Sequence, residues 1–276
     1  PAPPTPPPES TPSPTFEAVP TPGSPLPTPT PSPPIQYLPD APDRDLYALA
    51  RRLRPRREEP IPRVVNPEPV SYEMGRQDAF WVADLVDSEV DQVEAVLARV
   101  SEHAYWYFEK GLVPSEQALD RAVQAFEEAI YPVVTGAFGS EWIPGVDNDP
   151  HLTILHARLR GAAGFYSASD EYPVETYPFS NEREMIYMNT LSFQVGSIAY
   201  MGTLAHELQH AIHWANDPTE ETWLNEGLSE IAKGLADYGY SFISSFLSSP
   251  TTPLTTWPSD RGATLPHYGA ATLFMV

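Results

Sequence analysis

The spacing of apolar positions divides the chain near residue 70. Residues 1–34 carry only Phe16, Val19 and Leu26 as large apolar side chains, too few to bury a core, so a disordered Pro/Thr/Ser-rich spacer is expected over 1–36. Residues 37–70 form a basic connector. Within it Leu46, Leu49 and Leu53 fall at helical spacing and predict a short amphipathic helix, its arginines set to lie on an acidic domain. From Tyr72 the pattern is globular. Ala79-Phe80-Trp81-Val82-Ala83 predicts a first strand. Val90, Val93, Val96, Leu97, Val100, Ala104 and Tyr107 recur at steps of three and four and predict a helix capped by Ser88 and Gly111, with Tyr105, Trp106, Tyr107 and Phe108 packed into the core at its end. A second helix should start at Ser115, bury Leu119, Ala122, Val123, Phe126 and Ile130, and stop at Pro132. Residues 152–155 and 185–188 read as strands, and three helical patterns follow at about 197–215, 221–237 and 267–276. Strands grouped ahead of the last helices give an α+β layout for residues 71–276. The last pattern stops inside an apolar run, so the natural chain is expected to continue past Val276.

Composition sharpens this division. Of 34 prolines in 276 residues, 23 precede residue 71, and the many Thr-Pro and Ser-Pro pairs suit an extended stalk. Residues 71–276 hold 9 basic and 29 acidic side chains, nearly all of the net charge of −21. Such a surface repels phosphate backbones, which excludes nucleic acid as a partner. The absence of cysteine excludes disulfides, thiolate zinc ligands and thiol catalysis. No apolar run is long enough for a membrane span. The first residue is Pro, so a processed chain whose targeting segment has been removed is expected.

The chemistry concentrates at residues 204–213, Leu-Ala-His-Glu-Leu-Gln-His-Ala-Ile-His, which hold the H-E-x-x-H pattern at His206, Glu207 and His210. Helical residues four apart are offset by only about 40° around the axis, so both imidazoles can hold one Zn²⁺ while Glu207 reaches a water beside it. Ionisable groups rarely gather on an apolar helix without such a partner. His213, on nearly the same face, is expected to pack or support rather than ligate. His103, His151 and His156 carry no motif and read as surface or capping residues. Asp147-Asn148-Asp149 is oxygen-rich enough to suggest Ca²⁺, but it lacks the following Gly and the distant Glu of the EF-hand loop, and a turn before the next strand is the better reading.

Downstream, Glu-Thr-Trp-Leu-Asn-Glu-Gly-Leu-Ser-Glu at 221–230 puts Glu226 sixteen residues after His210. H-E-x-x-H followed by an Asn-Glu-x-x-Ser-acid string resembles the gluzincin metallopeptidases, and the His-Glu-Leu-Gln-His and Glu-Thr-Trp-Leu-Asn-Glu-Gly-Leu-Ser strings look most like secreted bacterial peptidases of the hyicolysin type, with immune inhibitor A more distant. The likeness covers residues 199–233 well and 266–275 loosely. It implies a zincin-like catalytic domain, a secreted or cell-surface protein, and a zinc endopeptidase acting on protein or peptide substrates. It also implies zinc on His206, His210 and Glu226, Glu207 as base, and Glu230 orienting a histidine. Thermolysin-like members place the third ligand about four residues further on, which here is Glu230; Asn225 and Ser229 fall into their motif places only if it is Glu226. By the same likeness the donor to the substrate oxyanion comes from downstream, with His267 and Tyr268 the candidates and Tyr238 and Tyr240 behind them. An edge strand within 161–172 would pair with extended substrate. The alternative is a catalytically silent zinc-binding surface or adhesion module, which would keep the ligands and lack the donor.

Overall fold

A computed structural model describes residues 45–53, 60–258 and 260–276, without the side chain of Arg261. The Pro-rich spacer lies outside the described residues. The rest builds a six-stranded mixed sheet in the order β1-β2-β3-β4-β6-β5. Its strands are β1 (Gln77–Asp84), β2 (Glu89–Val100), β3 (Ala104–Glu109), β4 (Leu152–Ala157), β5 (Gly164–Tyr166) and β6 (Met185–Asn189). β1, β2 and β3 form an antiparallel meander, β3, β4 and β6 run parallel, and β5 returns antiparallel along β6 as the end strand.

The expected helix over 88–107 is instead β2, a turn and β3. The four valines of this stretch are β-branched and Tyr105 to Phe108 are aromatic, types that favour a pleated surface, and a long-range partner on each side outweighs the local three-to-four spacing. Ser88 has φ 58° in the β1–β2 turn and Gly111 φ 84° in the turn after β3, so neither caps a helix. β3 is buried on both sides, as a central strand with a continuous apolar run should be. Trp106 and Phe108 join the helix-covered core with Ile154, Ile186 and Met188, while Tyr105 and Tyr107 enter a second core with Phe80, Leu97, Leu155 and Tyr187.

Helix α1 spans Leu46–Leu53, but it turns Ala50 inward and leaves Leu49 and Leu53 exposed. Its Arg51 and Arg52 are exposed as well, not laid on the acidic domain. Tyr47 sits 5.5 Å from Tyr172, and Val65 N–H donates to Val146 O, so these residues of the expected connector pack against residues of 71–276. Helices α2 (Glu116–Ala125) and α3 (Tyr131–Phe138) are joined by a π-helical turn over Phe126–Ile130. The helical path therefore passes Pro132, because Tyr131 N–H reaches back to Phe126 O and α3 restarts with proline in its first turn, where no donor is required.

Helices α4 (Ile198–Asn216), α5 (Thr222–Leu235) and α7 (Leu265–Met275) match the last three sequence patterns, with a short α6 (Ile243–Ser248) between. α4 starts at Ser197, whose Oγ accepts from Tyr200 N–H, and buries Met201, Leu204, Leu208 and Ile212 on the sheet. His156, expected at the surface, is fully buried on β4: one ring nitrogen meets Tyr107 O at 2.9 Å and the other Tyr200 Oη at 2.8 Å, tying the sheet to the start of α4. Burial pulls its pKa down to about 4, so it stays neutral there. Among the described residues no helix is long and apolar enough to cross a membrane.

Candidate metal centre

α4 and α5 pack side by side and bring His206, His210 and Glu226 together. His206 Nε2 lies 3.1 Å from His210 Nε2 and 3.3 Å from Glu226 Oε2, and His210 Nε2 lies 3.4 Å from the same oxygen. A tetrahedral zinc ion with bonds of about 2.0–2.1 Å separates its ligand atoms by about 3.3–3.4 Å. The triangle matches one face of that tetrahedron.

Proton placement says the same. His210 Nδ1 is 2.8 Å from Asn225 Oδ1 and His206 Nδ1 is 3.3 Å from Glu230 Oε1, both oxygens being acceptors, so each Nδ1 carries a proton. The two Nε2 lone pairs are left facing each other and Glu226 Oε2, a buried oxygen with no hydrogen-bond partner. Three lone pairs turned on one point need a cation. These residues could therefore hold a metal ion. Burial opposes a charged His206, but Glu226 and Glu230 outweigh it and lift the pKa to about 10. Burial likewise opposes the Glu226 carboxylate, and the two histidines hold it well below the ordinary range.

Glu230 does not join the triangle. Its Oε1 faces His206 Nδ1 and its Oε2 accepts from Ser241 N–H at 2.7 Å, so both oxygens are engaged in orienting neighbours. Ser229 Oγ packs against Asn225 O and His210 Nδ1, each at 3.1 Å, and donates to Gln209, which gives a structural reason for the Asn-Glu-x-x-Ser-Glu spacing. His213 is buried away from the triangle beside Gln209. A second trio, Glu102, His103 and Glu127, also converges, but near the surface and with His103 already 2.6 Å from Glu127.

The triangle opens onto a cleft of about 640 Å³ lined by residues 161–166, by Glu207, and by Phe242, Trp257 and Tyr268. Burial raises the pKa of Glu207, partly offset by the histidines and by the nearby backbone N–H of Tyr166. Tyr268 lies within hydrogen-bonding reach of Glu226, its ring 6.4 Å from that of His206; burial and the nearby carboxylates raise its pKa, so it remains a donor. His267 does not line the cleft. Neighbouring helical residues point about 100° apart, and His267 is buried against Trp257 instead. Tyr238 and Tyr240 also lie outside the cleft lining, with Tyr238 packed on the core. β5 falls inside the segment expected to offer an edge, and Gly164 fits there because a side chain would meet Thr203 Cγ2 at 2.8 Å. The Asp147-Asn148-Asp149 string is a turn: Asp149 takes the Tyr105 hydroxyl and His151, and Asp147 Oδ1 accepts from Asp149 N–H. His103 and His151 are half-buried in carboxylate pairs.

No protein-family model matches the chain, and no curated protein matches it.

Proposed function

We propose that this chain is an exported zinc-dependent endopeptidase with a zincin-like catalytic domain. The observation that carries the reading is the 3.1–3.4 Å triangle of two imidazole lone pairs and one orphaned carboxylate oxygen, open to a cleft with Glu207 beside it. Zinc, held by His206, His210 and Glu226, would activate water and polarise a carbonyl.

The chain's own residues supply the rest. Extended substrate lies along the free edge of β5, where main-chain pairing positions the scissile bond without regard to most side chains. Glu207, buried and therefore more basic than a surface carboxylate, takes a proton from the attacking water as its oxygen bonds to the carbonyl carbon. That proton then passes to the amine as the C–N bond breaks. Tyr268 donates to the carbonyl oxygen as negative charge gathers on it. Asn225 and Glu230 hold the two histidines with Nε2 bare throughout.

Glu207→Gln is the direct test. It should lower casein hydrolysis by about 10²–10⁴-fold while the purified protein still carries one zinc per chain. Unchanged hydrolysis, or a wild-type protein that binds no zinc, would sink the reading. Zinc bound with no cleavage by wild type would leave the silent module.

A further inference from the structure

Behind the cleft, four separate segments deliver carboxyl groups to one buried place. Glu141 follows α3, Asp147 sits in the turn before β4, Glu171 ends a short 3₁₀ turn over Ala168–Glu171, and Glu184 leads into β6. Each is at most 4% exposed. Glu171 and Glu184 lie within hydrogen-bonding reach of one another, the negative charge of Glu141 is felt at Glu184, and that of Glu184 at Asp147.

Three of these groups are half-satisfied in the same way. One oxygen accepts from the protein: Tyr131 Oη donates to Glu141 Oε1 at 2.9 Å, Tyr166 Oη to Glu171 Oε1 at 3.1 Å, and Val146 N–H to Glu184 Oε1 at 2.7 Å. The other oxygen of each is buried with no partner. No basic side chain pairs with Glu141, Glu171 or Glu184 among the described residues. Arg183, next in sequence to Glu184, is held by Asp78 and lies over the rings of Tyr72 and Phe80, its charge felt in the cluster by Asp147. The chain also closes tightly on Glu184. Gly145 has φ +80°, and a Cβ there would sit 1.6 Å from Glu184 Oε2.

We infer that Glu171 and Glu184 hold a calcium ion, with Asp147 and Glu141 supplying the surrounding negative charge. A carboxylic acid would accept the same donors at its carbonyl oxygen; what a cation answers is two buried glutamates within reach of one another, each with a free oxygen and no basic partner among the described residues. A buried, oxygen-only site built from glutamates, which can each ligate through both oxygens, fits calcium, with main-chain carbonyls and water completing its shell; magnesium gives up its water too reluctantly for such a place. The ion would pin the 164–171 segment, which includes the cleft-lining Tyr166, to β6 and the Gly145 turn.

The test uses the full chain stripped of metal and refilled with zinc alone. Calorimetry should then find one further calcium per chain, and a hundredfold excess over Kd should raise Tm by about 5–10 °C, with magnesium much less effective. Glu184→Gln and, as a second variant, Glu171→Gln should lose both responses at unchanged zinc content, whereas His206→Ala, damaged at the zinc site, should keep them. Wild type that takes up no calcium overturns the inference. So does calcium uptake undiminished in both glutamine variants, and so does a glutamine variant more stable than wild type in calcium-free buffer with no calcium response in wild type, which would assign the pair a shared proton.

Discussion

Tyr268 illustrates how one atom decides a role. Its hydroxyl stands near Glu207 and Glu226, and burial together with those carboxylates keeps it protonated at any working pH. Such a group keeps a proton to donate, which is what a carbonyl oxygen gaining charge requires. Tyr268→Phe removes that one donor and should lower kcat by about 10²–10³-fold with zinc content unchanged, measured by steady-state kinetics beside metal analysis; an unaltered kcat would remove Tyr268 from the reaction. The pairing of the two histidines was legible in the string of residues, since His206 and His210 four apart must share a helix face. The choice between Glu226 and Glu230 was sharpened by the fold, because only packing turns Glu230 onto Ser241 N–H and His206 Nδ1. His267 and Tyr268 were indistinguishable as letters, and the rotation of α7 separates them.

At the level of elements, the long helices announced themselves while the central strands did not. α4 is capped by Ser197, both α4 and α5 carry local periodicity, and a helix closes its hydrogen bonds within itself. β2 and β3 depend on partners far away in sequence, so valines at three- and four-residue steps could be read as a helix, although the Tyr-Trp-Tyr-Phe run was a signal for a strand. β5 is only three residues long and is held between its ladder with β6 and the close approach of α4. Gly164→Ala would push a methyl to 2.8 Å from Thr203 Cγ2 and 3.0 Å from Tyr187 O, and should cost about 1–3 kcal/mol in thermal or chemical unfolding. Thr203→Ser removes that methyl but keeps the hydroxyl bonded to Ala199 O, so the double variant should recover part of the loss. Strict additivity of the two changes would show that the close approach is not what Gly164 is there for.

For the molecule as a whole, buried carboxyls give stability an uncommon pH dependence. Asp170 accepts from Tyr187 Oη and from Asn181, yet burial pushes its pKa up to about 7, against 3.8 ordinarily. Between about pH 4 and 7 the folded state therefore binds more protons than the unfolded state, and stability falls as pH rises through that window and levels above it. Asp147, lifted by burial and Glu184 to about 8, extends the decline. Asp78, held low by Arg76 and Tyr107 against the cost of burial, acts oppositely, contributing above its unfolded pKa and losing that contribution as pH drops. In metal-free buffer the denaturation midpoint should thus decline from about pH 5 to 8, and Asp170→Asn should flatten the decline; an identical slope in that variant would remove Asp170 as its source. The sequence by itself determined the division into a Pro-rich segment and an acidic stretch, the exclusion of thiol chemistry and the shared helix face of the H-E-x-x-H histidines, because composition and helical spacing are local properties. Only the tertiary structure decided the sheet order, the burial of His156, the turning of Tyr268 rather than His267 to the cleft, and the gathering of Glu141, Asp147, Glu171 and Glu184. Those depend on contacts between segments far apart in the chain, and no local period encodes which distant side chains will share one dry place.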